Sequence, residues 1–177
     1  MTEKDRLNFV RALYPYAKMV EDDTGLNYRV QLAQAAAESG WEVPEGFMFF
    51  GVKDTDGVNG NEIWVPTTEI SDSPDEKFAH IIRIEPFMKD GKQHYCYTIK
   101  SYFRKYDSPY EAFYDHAKFF TDNPRYRNAW DVRQYPFMFA TGIAKAGYAT
   151  GLNYEKFLHD MIHSVDKRVK KLGLEAT

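Results

Sequence analysis

The strongest constraint on the fold is one block of strand-like sequence with helical sequence on both sides of it. Within residues 62–104, two runs at 78–88 and 93–103 are rich in β-branched and aromatic residues. They flank Lys-Asp-Gly-Lys at 89–92, and Asp-Gly between two such runs is a strong hairpin signal. Pro86 in the first run predicts an edge strand or a bulge. The pattern predicts a small antiparallel hairpin inserted into a helical protein.

Before this block, apolar residues recur every three or four positions, which predicts amphipathic helices. The first helix is expected over 5–22 and ends at Thr24-Gly25. Pro15 should kink or break it, since proline lacks the N–H that a helix interior needs. A second helix, over 28–39, is rich in alanine and can be capped by Asn27. Its small side chains allow close packing, so we expect it to be central.

After the block the sequence is helical again. Ser108-Pro109-Tyr110-Glu111 reads as a full capping box with proline at the first helical position. Further helices are expected from 122–124 onward, over 135–146 before Gly147, and over 154–172 before Gly173. The residues expected to face inward on the last helix are Phe157, Leu158, Met161, Ile162, Val165, Val169 and Leu172.

Composition excludes several classes of protein. A chain of 177 residues has the length of one domain. Its net charge of −3 argues against nucleic-acid binding, which needs a basic surface. Cys96 is the only cysteine, so no intramolecular disulfide can form. No apolar run approaches the roughly 18 residues of a membrane span. The first residues lack a signal-peptide pattern, so export would need another route or a longer precursor.

Glu38 is the strongest candidate for a catalytic residue. It follows three alanines at the predicted end of the second helix and precedes Ser-Gly-Trp. Hydrolysis of a glycosidic bond needs a carboxylic acid whose pKa is raised enough to donate a proton. Apolar neighbours and the negative end of a helix dipole both raise a carboxyl pKa. Taken alone, however, a glutamate in an alanine-rich helix is more often a solvated residue.

A resemblance to a known family favours the chemical role. Residues 33–41 (AQAAAESGW) and 50–53 (FGVK) resemble the signature of glycoside hydrolase family 73, the N-acetylglucosaminidase domains of autolysins, flagellar muralytic proteins and phage lysins. Further similar segments follow in order: 67–69 (TTE), 103–106 (FRKY), 110–116, 123–126 (NPRY), 147–150 (GYAT) and 153–154. The resemblance covers about 9–165. Glu42 and Gly151 depart from it, where the family usually has glycine and aspartate.

The resemblance implies a lysozyme-like α+β fold, in which a mainly helical lobe and a small antiparallel β-hairpin lobe flank a substrate groove. The single glucosaminidase domain would be 1–177, with the β lobe at about 62–104. The implied reaction is cleavage of the β-1,4 bond between N-acetylglucosamine and N-acetylmuramic acid in peptidoglycan. The expected partner is the glycan strand at the bacterial cell wall, in the periplasm or outside the cell. We expect a monomer without cofactor or metal.

The resemblance also implies roles for individual residues. Glu38 would be the general acid, and Glu69 the second carboxylate, which acts on water or steadies the intermediate. Tyr148 would lie beside the substrate. The other residues expected to bind substrate are Trp41, Asp115, Tyr126 and Tyr154. Inverting, retaining and substrate-assisted mechanisms all remain open at this point.

Two other functions and two other sites are compatible with parts of the sequence. A lytic transglycosylase would use Glu38 alone, and a glycan-binding module would keep the fold without catalysis. His159 and His163 have the i, i+4 spacing of zinc proteases, but we favour two histidines on a helix surface. Residues 54–62 hint at a calcium loop, but their ligand spacing does not fit the EF-hand order, so we favour a polar turn.

Overall fold

The computed structural model describes residues 1–55, 58–149 and 153–175. Its contacts divide the chain into two compact units, Met1–Phe50 with Tyr106–Thr177 and Gly51–Lys105. The first unit is helical, and the second holds the sheet and contains all of the predicted β lobe. The combination of helices with one small antiparallel sheet confirms the predicted α+β class. No helix in the described ranges is both long and apolar enough to cross a membrane.

The helical unit contains six α-helices within the described residues: α1 Glu3–Thr24, α2 Tyr28–Ser39, α3 Pro109–Asp122, α4 Arg127–Trp130, α5 Pro136–Lys145 and α6 Tyr154–Leu172. Short 3₁₀ turns lie at Glu45–Phe47 and Pro124–Tyr126. Helix α1 continues through Pro15, so of the predicted kink or break the break does not occur. Pro15 is exposed. It has no N–H to donate to the carbonyl four residues earlier in the helix, but on this exposed face water can hydrogen-bond to that carbonyl instead.

Helix α2 is the centre of the helical unit, as predicted. Asn27 caps it by accepting a hydrogen bond from the Arg29 N–H, 3.0 Å away. Eight of its 12 residues are buried, including Gln31 and Gln34. It contacts α1, α5 and α6, and its alanines leave room for these helices to approach closely. Its C-terminus is closed by Gly40, which has a positive φ of 63°.

Two local predictions for the helical unit are wrong in detail. Ser108 accepts from the Glu111 N–H as expected, but the Glu111 carboxylate accepts from the Asp107 N–H instead of completing a capping box with Ser108. On α6, Phe157 is 48% exposed rather than turned inward. The buried stripe of α6 runs through Leu158 and Ile162. Phe157 lies about 100° away from Leu158 around the helix axis, and therefore beside the stripe.

The second unit is a three-stranded antiparallel sheet of order β1-β3-β2, with β1 Glu62–Ser71, β2 Ile81–Lys89 and β3 Lys92–Arg104. The turn between β2 and β3 has positive φ at Asp90 and Gly91, 51° and 75°, as the two-residue hairpin predicts. Pro86 lies on an edge strand, as predicted, and the register shift lies between Ile81 and Arg83 rather than at Pro86.

Gly142 on α5 offers a test of the packing between α4 and α5. A Cβ at this position would lie 2.7 Å from the Ala129 Cβ and 3.0 Å from the Ala129 Cα. We expect Gly142→Ala to lower the free energy of unfolding by about 1–3 kcal/mol, because overpacking outweighs the better helix propensity of alanine. Urea unfolding measures the change, and Ala129→Gly in the same chain should recover part of it. A stabilised Gly142→Ala variant would contradict the close contact.

Candidate active site

Glu38 occupies the last turn of α2, one helical turn after the buried Gln34 and therefore on the same face. Gln34 Nε2 lies 3.4 Å from the hydroxyl of Tyr154, to which it donates. Within the described residues, the Glu38 carboxylate has no hydrogen bond or ion pair. Although part of its side chain is exposed, burial of the carboxyl raises its pKa. An unpaired carboxyl with a raised pKa is suited to donate a proton.

Two tyrosines lie in the electrostatic field of Glu38. The rings of Tyr148 and Tyr154 are stacked, with centroids 5.6 Å apart and an interplanar angle of 26°. Burial raises the pKa of both phenols, to about 12 for Tyr154, and the negative charge of Glu38 contributes to both shifts. Both hydroxyls therefore stay protonated at neutral pH. They are neutral donors within the electrostatic field of a carboxyl that becomes negative when it gives up its proton.

His116 on α3 is a site residue that sequence reasoning missed. Its side chain is buried, and its Nε2 lies 3.2 Å from the Tyr148 hydroxyl. Burial lowers the pKa of the imidazole to about 3, so the ring is neutral. A usable signal was present in the sequence, because His116 falls on the apolar stripe of α3, three residues after Phe113 and four before Phe120.

The buried imidazole predicts how stability depends on pH. Because the pKa of His116 falls from 6.5 to about 3 on folding, the unfolded chain binds the extra proton between these values. The contribution of the neutral His116 to the free energy of unfolding is complete above pH 6.5 and is lost as the pH falls towards 3. We expect the wild type to lose about 2 kcal/mol more than a His116→Phe variant between pH 7 and pH 5. Urea unfolding at both pH values measures this, and equal losses would contradict a neutral buried His116.

Tyr126 and Asp115 lie in the same unit but present little surface. Tyr126 is fully buried beside Phe120, and its ring centroid is 6.2 Å from that of Tyr148. Asp115 is partly buried and accepts a hydrogen bond from the Tyr106 hydroxyl at 2.6 Å. Tyr126 therefore packs beside Tyr148, and Asp115 is held by Tyr106. Their predicted contact with substrate stays a prediction, and the burial of Tyr126 does not favour it.

Trp41 lies in the core rather than on an open surface. It is 8% exposed and meets the Phe9 ring edge to face at 5.7 Å. The guanidinium groups of Arg6 and Arg168 lie 5.5 and 4.8 Å from its ring centroid. A positive φ of 69° at Trp41, directly after Gly40, turns the chain back so that the indole packs inward. The predicted contact of Trp41 with substrate stays a prediction, and its burial does not favour stacking of the indole on a sugar.

Glu69 belongs to the sheet unit, on strand β1 opposite Tyr97 of β3. Its Oε1 lies 2.7 Å from Lys53 Nζ, and the two side chains are 34% and 53% exposed. Lys53 is the last residue of the Phe-Gly-Val-Lys segment and forms an isolated bridge with Phe103. The structure thus pairs Glu69 with a cation from a second family-like segment. Its catalytic role stays a prediction.

The two histidines with zinc-protease spacing, His159 and His163, contact other side chains and the backbone. His159 Nε2 lies 3.2 Å from both Thr141 Oγ1 and the Phe137 carbonyl oxygen, and His163 packs on the Phe137 ring. A cavity of about 590 Å³ between α4, α5 and α6 includes His159 but none of the predicted site residues. Among the described residues, no group of three or more His, Cys, Asp or Glu could hold a metal.

Two of the segments singled out in the sequence contain residues outside the described ranges. In the loop at 54–62, the Glu62 carboxylate accepts from the N–H groups of Asn59 and Gly60, at 3.1 and 2.8 Å. Residues 56 and 57 of that loop lie outside the described residues. So do 150–152, which include Gly151 and the end of the Gly-Tyr-Ala-Thr segment. Glu42, the other departure from the family pattern, is exposed.

Comparison with protein families decides the class. The glucosaminidase model, described as mannosyl-glycoprotein endo-beta-N-acetylglucosaminidase, matches residues 14–167. The chain belongs to the glucosaminidase family. As a member of this family it is a glycoside hydrolase, and the family resemblance stated from the ordered motifs is confirmed.

Relatives and solved structures agree with membership of the glucosaminidase family. Peptidoglycan hydrolase FlgJ of Vibrio cholerae is 32% identical over 169 residues, which are 96% of this chain and 45% of that protein. The glycoside hydrolase domain of Salmonella typhimurium FlgJ has a TM-score of 0.65 at 26% identity, over 98% of this chain and 94% of that one. The catalytic domain of the Listeria monocytogenes autolysin Auto has a TM-score of 0.71 at 25% identity, over 94% of this chain and 87% of that one. The chain spans about half the length of the curated relatives.

Proposed function

We propose that this glucosaminidase hydrolyses the β-1,4 bond between N-acetylglucosamine and N-acetylmuramic acid in peptidoglycan, with Glu38 as the general acid. The observation that carries the proposal is the state of Glu38. Its carboxyl has a pKa raised by burial, no cation beside it among the described residues, and two neutral phenols within its field. A raised pKa favours the protonated form that a general acid must have, and the absence of a cation from the described surroundings removes the commonest cause of a lowered carboxyl pKa.

The chemistry follows from these groups. Glu38 donates its proton to the glycosidic oxygen, and the C1–O bond breaks as positive charge develops at the sugar ring. The Glu38 carboxylate formed in this step is stabilised by nearby hydroxyl donors, which Tyr148 and Tyr154 supply. Glu69 stabilises the positive charge or activates the water that completes hydrolysis. This two-carboxylate chemistry needs no metal or cofactor.

The choice of substrate rests on the relatives. The FlgJ proteins of Vibrio cholerae and Salmonella typhimurium are named peptidoglycan hydrolases. The similarity to the Salmonella structure extends over the glycoside hydrolase domain of that protein, which is the part in which such chemistry takes place. We therefore assign the bacterial cell wall, outside the inner membrane, as the place where this chain acts on glycan strands.

Mass spectrometry of digested peptidoglycan tests the proposal. Purified protein is incubated with purified peptidoglycan, and the soluble fragments are analysed before and after borohydride reduction. We expect new reducing N-acetylglucosamine ends. Anhydromuramic ends would instead identify a lytic transglycosylase that uses Glu38 alone, and the absence of products would identify a glycan-binding module.

A further inference from the structure

We infer that His116 is a positioning residue for the reaction: its Nε2–H donates to the Tyr148 hydroxyl and so directs the Tyr148 proton towards an oxygen in the active site. The inference rests on the proposed function, because it gives Tyr148 the part of a donor to Glu38 or substrate. It adds a residue and a direction of hydrogen bonding to that proposal.

The imidazole is held in one place by aromatic contacts. Its ring is stacked on Phe50, with centroids 3.6 Å apart and planes 6° from parallel. Phe120 meets it edge to face at 4.9 Å. The side chain is 3% exposed, so rotation would require several neighbours to move. This packing fixes Nε2 at 3.2 Å from the Tyr148 hydroxyl oxygen.

The choice between the two neutral tautomers follows from the other ring nitrogen. Nδ1 of His116 is buried and has no hydrogen-bond partner among the described residues. A proton on Nδ1 would leave a buried N–H donor unpaired, and such orphaned donors are rarer in proteins than under-satisfied acceptors. A proton on Nε2 leaves only a lone pair without a partner. The doubly protonated ring is excluded at neutral pH because its pKa is about 3.

The tautomer decides where the Tyr148 proton goes. When Nε2–H donates to the Tyr148 oxygen, that hydroxyl must give its own proton to a different acceptor. Two candidate acceptors belong to the site: Tyr154, whose ring is stacked on that of Tyr148 with centroids 5.6 Å apart, and Glu38, whose charge acts on both phenols. With the opposite tautomer, Tyr148 would donate back to His116 and its proton would be withheld from the site.

Nitrogen NMR tests the tautomer in the unmodified protein. A sample with ¹⁵N-labelled histidine at pH 7 is compared with the same sample of His116→Gln, which identifies the His116 signals by their loss. We expect the His116 ring to show the Nε2–H pattern, with a proton coupled to Nε2. A proton on Nδ1, or a ring with both nitrogens protonated, would overturn the inference.

Kinetics test the positioning role. His116→Phe removes the donor, whereas His116→Gln can keep an N–H near the position of Nε2. We expect His116→Phe to lower kcat about tenfold with little change in KM, as loss of one hydrogen bond predicts, and His116→Gln to retain most of the activity. In a Tyr148→Phe background, His116→Phe should have no additional effect on kcat, since the hydroxyl it serves is absent.

The alternatives are separable. Equal losses in both His116 variants, or an undiminished effect of His116→Phe without the Tyr148 hydroxyl, would show a role in packing only. Thermal melts of each variant reveal any such loss of folding. If the wild type releases no reducing ends, the proposed function fails, while the NMR experiment still decides the tautomer. If the wild type is active and the double-variant comparison is additive, only the inference about His116 fails.

Discussion

Replacing Glu38 by glutamine should lower the rate of glycan hydrolysis by on the order of 10²–10⁴-fold, the usual contribution of a positioned general acid. Glutamine has nearly the same shape but no proton acidic enough to transfer to the glycosidic oxygen. The fold should persist, because Glu38 makes no hydrogen bond or ion pair among the described residues. Its carboxyl is also held at a raised pKa by burial, so a neutral side chain fits the same surroundings.

The matched control for this variant is Glu45→Gln. Glu45 lies in the same unit, is exposed, and belongs to the short 3₁₀ turn after α2. Initial rates of formation of reducing ends should fall only in the Glu38 variant, while both variants keep the unfolding midpoint of the wild type. A rate near that of the wild type for Glu38→Gln would remove Glu38 from the role of general acid. A lower unfolding midpoint would show that the side chain stabilises the fold.

Local signals in the sequence were sufficient for most elements of the fold. The Asn27 cap, the end of α1 at Gly25 and the Asp90-Gly91 turn each depend on a few neighbouring residues, and all were predicted. The alanine-rich stretch predicted a helix over about 28–39, and α2 is Tyr28–Ser39. Pro15 was the exception, because a proline on the exposed face of a long helix loses one hydrogen bond while the rest of the helix still packs.

Residues of the candidate site were predictable only where they belong to a family-like sequence motif. The catalytic role predicted for Glu38 came from the resemblance, since the alanine-rich pattern alone favoured a solvated residue. The contact between His116 and Tyr148 joins residues 32 positions apart, and no local signal specifies such a pair. The burial of Trp41 depends on backbone geometry that the sequence pattern does not specify, because the two successive positive φ values at Gly40 and Trp41 turn the indole inward.

Glu69→Gln should lower hydrolysis less than Glu38→Gln does, by roughly 10- to 150-fold, which corresponds to the loss of about 1.5–3 kcal/mol of a charged interaction. Glu69 is held by Lys53 at 2.7 Å, and both side chains are partly exposed. A pair of this kind contributes only about 0–1 kcal/mol to stability. The variant should therefore fold normally, and its loss of activity should reflect the missing negative charge.

Glu85→Gln is the matched control, because Glu85 is also a glutamate of the sheet unit in an exposed ion pair, with Arg83 at 3.1 Å. Its rate should equal that of the wild type. Lys53→Met distinguishes two possible roles of Lys53. If Lys53 orients Glu69 for the reaction, the variant loses activity. If the ion pair keeps Glu69 away from the substrate, the variant gains activity. An unaltered rate in Glu69→Gln would remove Glu69 from the mechanism. The acetamido group of the substrate, acting as internal nucleophile, would then be the partner of Glu38.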